Sequence, residues 1–150
     1  MAHVATPVAV VTSMGDGLPV GTTVSAFTSL SMAPPMVLVC LDKRSETLEL
    51  ITLSKTFGLN VLAREQHAMA LKFARKGGTG KFQGIPWTID HELPRLADAA
   101  GWIACQADRF VEGGDHVVVL GSVVAAENRS SAPLTYHRRA FGTHSALESA

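Results

Sequence analysis

At 150 residues the chain fits one domain, long enough to bury a core that needs no disulfide or metal staple. Thirteen basic residues balance thirteen acidic ones, so no net field draws nucleic acid or an anionic membrane. Hydrophobic residues make up 47% and charged residues 17%, against a usual charged share of about 25%, and the surplus apolar surface is expected to serve a subunit interface as well as the core.

The sequence from Pro7 to Ser13 is rich in β-branched residues and predicts a strand. Gly15-Asp16-Gly17 tolerates positive φ and closes a hairpin, with the return strand over Pro19 to Ala26. Pro34-Pro35 forbids helix and leads into Met36 to Leu41, a continuous apolar run that reads as a strand covered on both faces. A helix is expected from Ser45, with Ser45 as its cap and Glu46 at the positive end of its dipole. Phe57 to Ala63 predicts the next strand, and Glu65 to Ala74 a second helix. Gly77-Gly78-Thr79-Gly80 ends that helix in a glycine loop.

Residues from Phe82 to Ala97 read as irregular, broken by Pro86 and Pro94. Ala100 to Phe110 and His116 to Ala126 are two long β patterns joined by Gly113-Gly114-Asp115. Leu134 to Arg138 suggests a last short strand. Six or seven strands, two short helices and a predominance of hairpins predict a mainly β fold, an antiparallel barrel with short α insertions. No apolar run approaches the ~18 residues of a membrane-crossing helix. Met1-Ala2-His3-Val4 has no basic segment leading into an apolar one, so a secretory signal is not expected and a cytoplasmic location is. Cys40 and Cys105 lie inside apolar runs and read as buried, reduced thiols.

The six histidines are scattered without zinc-ligand spacing, and no Gly-x-Ser-x-Gly elbow is present. The glycine loop fails as a phosphate loop, because Arg75 stands where its first glycine belongs and Phe82 follows Lys81 where a hydroxyl is required. No Gly-x-Gly-x-x-Gly opens a helix. A chain without a nucleophile or a metal cluster either binds something or lets a cofactor carry the chemistry.

The densest signal is Thr22-Thr23-Val24-Ser25-Ala26-Phe27-Thr28-Ser29-Leu30-Ser31, followed by Met32-Ala33-Pro34-Pro35 and the apolar run to Cys40-Leu41-Asp42. With Asn60-Val61-Leu62-Ala63, Lys81-Phe82, Gly114-Asp115-His116 and Tyr136-His137-Arg138 in that order, the chain resembles the flavin reductase-like family over nearly its whole length. After Arg138 the family tends to show a glycine and an aromatic, where this chain reads Arg139-Ala140-Phe141.

The resemblance implies a single split β-barrel domain over residues 1–150, homodimeric and of the FMN-binding type, with FMN or FAD in a groove near the subunit interface and NADH or NADPH as hydride donor. Thr23, Val24, Ser25, Ala26, Phe27, Ser29, Leu30 and Ser31 are candidates for the flavin edge, where the small hydroxyl and alanine side chains among them would let backbone approach. Lys43, Arg44, Ser45 and Thr47, at the start of the first predicted helix, suit its phosphate, with Lys81 closing from the glycine loop. Asn60 and Phe82 are candidates for the cofactor loop and the ring face, against a purely structural role for each. His116, Tyr136 and His137 are candidates for the nicotinamide. Hydride would pass directly from nicotinamide C4 to flavin N5, so no catalytic side chain is assigned, and the reduced flavin would serve a separate monooxygenase. The rival readings are a non-catalytic flavin- or haem-binding split barrel and a dimeric interaction module.

Overall fold

In the computed structural model, residues 2–77 and 79–147 are described, with Thr79 described by its backbone alone. Gly78 of the glycine loop lies outside them. The elements run β1 (Thr6–Pro7), β2 (Ala9–Gly15), β3 (Leu18–Val24), β4 (Phe27–Met32), β5 (Pro35–Asp42), α1 (Glu46–Ser54), β6 (Thr56–Val61), α2 (His67–Ala74), β7 (Trp87–Asp90), β8 (Leu93–Leu96), β9 (Gly101–Gly113), β10 (His116–Asn128), β11 (Leu134–His137) and β12 (Ala140–Thr143). Short 3-10 turns cover Arg64–Gln66 and Thr79–Phe82.

Seven strands form one antiparallel sheet in the order β3-β2-β6-β9-β10-β5-β4. Its inner core joins Val24 of β3 and Val11 of β2 to Val37 and Val39 of β5, near the opposite edge, with Leu48 and Ile51 of α1 plugging the space between. Strands far apart in the sheet therefore share one core, and the sheet curls round it. The edge strands β3 and β4 do not pair, so the barrel expected from the sequence is not closed. The mainly β class with short helices holds.

The apolar run at β2 is buried on both faces because each face has its own cover. Ala9 and Val11 point into the inner core, while Val8 and Val10 point outward beneath Ala70 and Phe73 of α2. Thr23 Oγ1 donates to Ala70 O at 2.7 Å and fastens α2 to β3.

The two hairpins marked by glycine form as expected. Asp16 and Gly17 take φ of 49° and 75°, as a type I′ turn requires, and Gly114 at φ 69° is the first central residue between β9 and β10. Four strands, β4, β7, β8 and β12, were not legible. The hydroxyl-rich stretch from Phe27 is a strand of its own, β4, paired with β5 through a bulge between Ser29 and Ser31. The segment read as irregular contains the β7–β8 ribbon, where Pro94 sits in a two-stranded pair that leaves one edge free of ladder bonds. The ribbon covers the outer face of the sheet: Thr12 Oγ1 donates to Pro94 O at 2.7 Å, and Arg95 bridges Asp90 at 2.6 Å and Glu127 at 2.5 Å. Beneath it lie Trp102 and Ala104, packed with Leu93. Finally, β1, β11 and β12 make a small separate sheet, tied to the main one where Leu134 bonds Leu62 and Val8. Both cysteines are free thiols. No described helix is long and apolar enough to cross a membrane.

Candidate cofactor site

Two cavities collect seven of the eighteen candidate residues singled out in the sequence. The first, about 500 Å³, lies where β3, β5, the start of α1 and the end of α2 meet. Pro35 starts β5, which runs out to Asp42 and turns, so α1 begins at the cavity wall. Ser45 occupies the N-cap position, yet its hydroxyl makes no capping bond, contrary to the sequence expectation. The first-turn N–H groups of α1 are left to whatever enters the cavity.

Thr47, in that first turn, is only 2% exposed and lines the same cavity. Its hydroxyl has no hydrogen-bond partner among the described residues. It is not sealed in either, because Trp102 Nε1 is the one described side-chain polar atom both sealed and unpartnered. A buried hydroxyl without a partner is costly unless it faces a ligand or water.

The basic residues around this cavity behave differently from one another. Arg44 forks onto Asp42, with Nε to Oδ1 at 3.0 Å and Nη2 to Oδ2 at 2.8 Å, and its own backbone N–H donates to Oδ1 at 2.8 Å. These bonds hold the Asp42 carboxyl far below the usual carboxylate range. Lys81 is half-buried and donates to Gly21 O and Phe73 O, each at 3.1 Å. Burial draws its ammonium pKa down. Lys43 does not reach the cavity: it turns to β9 and pairs with Glu112. Arg75 and Lys76, which the sequence reading passed over, line the cavity as well. They carried no signal, because two basic residues after a helix read as ordinary surface.

The second cavity, about 480 Å³, is apolar and open, and Phe27, Thr28, Ser29, Ser31 and Met36 are among its walls. Met32 beside it is 84% exposed and Leu30 on the same strand 44%. The exposed Ser25-Ala26 bend connects the two cavities along the chain, with Ala26 O accepting from Cys40 N at 2.8 Å. Val24 is buried in the inner core, and the Thr23 hydroxyl is taken by α2, so neither offers a side chain to a ligand.

Asn60 and Phe82 lie away from both cavities. Asn60 is fully buried on the face beneath the β7–β8 ribbon, where its amide bonds Val10 O, Thr12 Oγ1 and Leu96 N, and it lines neither cavity. Phe82 is 5% exposed and packs edge-on to Phe73 at 4.9 Å and to Trp87 at 5.5 Å, as a core residue. His116 opens β10 opposite Asp42 and holds Asp115 at 2.8 Å, close to the first cavity. Tyr136 stacks at a tilt on Phe141 and, with His137, stands exposed on the small sheet, outside both cavities.

A model of the flavin reductase-like domain matches residues 1–145. The chain is 39% identical over 140 residues to the reductase component of 4-nitrophenol 4-monooxygenase/4-nitrocatechol 2-monooxygenase from Rhodococcus opacus, covering 93% of this chain and 75% of that one. It is 38% identical to a probable flavin reductase from Rhizobium meliloti, again over 93% of its own length, but spans only 45% of that relative. Among solved structures, the NADH:FAD oxidoreductase of Streptomyces globisporus in complex with NAD and FAD fragments superposes with a TM-score of 0.91 at 30% identity, covering 99% of this chain and 90% of that one.

Proposed function

Because the chain belongs to the flavin reductase-like domain family, we propose that it is an NAD(P)H:flavin oxidoreductase whose two cavities receive the two ends of one flavin. The unpartnered hydroxyl of Thr47, an almost wholly buried residue that lines the cavity at the start of α1, carries this reading. With Ser45 and the first N–H groups of α1 it forms a donor cradle suited to a phosphate. Lys81 adds positive charge, and Arg44 is held in place by Asp42 at the rim. The flavin ring lies along the Ser25–Ser31 edge, where small side chains let the backbone reach its polar rim and Phe27 meets its apolar face.

The same edge supports a homodimer. Met32 and Leu30 leave an apolar surface that a second copy of the chain would cover, closing the open side of the second cavity. Tyr136 and His137 stand exposed on the small sheet, outside the two cavities described, and in the dimer they serve the nicotinamide at the other copy's ring, with His116 near the phosphate end. When bound, the two cofactors supply the chemistry, hydride moving from nicotinamide C4 to flavin N5. The residues bind, orient and exclude water. Either FMN or FAD, and either NADH or NADPH, fits this division of labour. Relatives named as reductase components support delivery of the reduced flavin to a separate monooxygenase. A single domain over residues 1–150 and a cytoplasmic location belong to the same reading.

Anaerobic stopped-flow mixing with each flavin and each nicotinamide tests it. Rapid bleaching of the flavin band is expected. A flavin that binds but is never reduced would overturn the enzyme reading and leave a binding protein. Light scattering checks the dimer, and a monomer at micromolar concentration would remove the shared nicotinamide site.

A further inference from the structure

The cavity at α1 holds more unpaired positive charge than a single phosphoryl cradle uses. α2 ends at Ala74, and the chain leaves in extended form from Arg75. Arg75 and Lys76 then line the cavity that contains Thr47 and Ser45. Among the described residues neither meets a carboxylate within 4 Å, so both charges are free to face whatever enters the cavity. Of the two acidic residues in the cavity, Asp42 is taken by Arg44, which leaves Glu46 against Arg75, Lys76 and Lys81. Lys81 is tied to the carbonyls of Gly21 and Phe73 on one part of the wall. Arg75 and Lys76 follow directly on the end of α2.

We propose that Arg75 and Lys76 form a second phosphoryl subsite in the α1 cavity, and that it selects a flavin dinucleotide over the mononucleotide. The inference rests on the flavin reading above. In it, α1, Ser45, Thr47 and Lys81 hold the phosphoryl group nearer the ring, and Arg75 and Lys76 hold the next one along the diphosphate. The cavity has room for both groups. Because both side chains are exposed, the adenosine continues outward across the rim and needs no enclosed pocket.

Titration of the full chain with FAD and with FMN, followed by flavin fluorescence, tests the proposal in the wild type and in Arg75→Ala/Lys76→Ala. The wild type is expected to bind FAD about tenfold more tightly than FMN, and the double variant to lose about tenfold on FAD while keeping its FMN affinity. The FAD preference should shrink with added salt, and Arg75→Lys/Lys76→Arg should retain it. Equal wild-type affinities for the two flavins would overturn the proposal, as would an equal loss on both in the variant. A loss confined to the KM for NADPH would also overturn it and assign the two cations to the nicotinamide donor. Failure of the wild type to bind either flavin would remove the flavin reading as well. Unchanged melting of the variant separates these outcomes from misfolding.

Discussion

The carboxamide oxygen of Asn60 accepts the backbone N–H of Leu96 at 2.8 Å, and so joins the middle of the sheet to the β7–β8 ribbon that covers it. Its amide nitrogen donates to Val10 O at 3.2 Å and to Thr12 Oγ1 at 3.3 Å, and Thr12 in turn donates to Pro94 O. Asn60→Ala leaves the Leu96 N–H buried without a partner, at a cost of about 1–3 kcal/mol. Urea unfolding is expected to show that loss, with flavin affinity of the folded protein unchanged. A variant of wild-type stability that failed to bind flavin would return Asn60 to the cofactor site.

The sequence could say that Asn60, placed in an apolar strand, needed partners, but not which ones. Those partners come from a ribbon that the local pattern hides. Pro86 and Pro94 read as breakers, and the β7–β8 turn is made by His91 and Glu92 at φ 49° and 62°, residues that announce no turn. The hairpins at Asp16-Gly17 and Gly114 were legible because glycine there advertises positive φ. Ser45 and Thr47 were legible as the start of α1 because a helix start can be read from one strand end and one polar cluster. The separation of Tyr136 and His137 from both cavities was not, since it depends on the small β1-β11-β12 sheet, whose pairing spans more than a hundred residues of chain.

Arg138 and Arg139 form the β11–β12 turn at φ 50° and 64°. For a residue with a Cβ that conformation costs about 1–2 kcal/mol. Glycine removes the clash but adds freedom to the unfolded chain, which returns about 0.4–1 kcal/mol. Arg139→Gly is therefore expected to stabilise the protein by about 0.5–1 kcal/mol, a rise of about 1–4 °C in melting temperature. Calorimetry measures it directly, and a fall in Tm would mean that the Arg139 side chain makes contacts worth more than the backbone strain.

Burial pushes the Cys105 thiol up to about 12, with nearby Asp108 adding to the effect. In the unfolded chain the same thiol titrates near its ordinary value of 9.0. As pH rises between these values the unfolded state gives up a proton that the folded state keeps. Its contribution to stability is thus fully present below about 9 and is lost towards about 12. Relative to Cys105→Ala, the wild type should lose stability through that window, and a constant difference would refute the assignment. Iodoacetamide at pH 8 should leave Cys105 unmodified in the native protein and alkylate it in denaturant.

Thr47→Val separates binding from folding at the candidate site. Valine has nearly the same shape and keeps the packing of the first turn of α1 beside Leu48 and Ile51, both in the inner core. The hydroxyl it removes bonds no described residue, so unfolding stability should stay level or rise slightly. A donor lost to a charged phosphate is worth about 1.5–3 kcal/mol, so flavin affinity should fall about tenfold or more. Isothermal titration alongside urea unfolding gives both quantities on one sample. Undiminished flavin affinity in a stable variant would detach the phosphate from α1, and the α1 cavity would lose its place in the flavin reading.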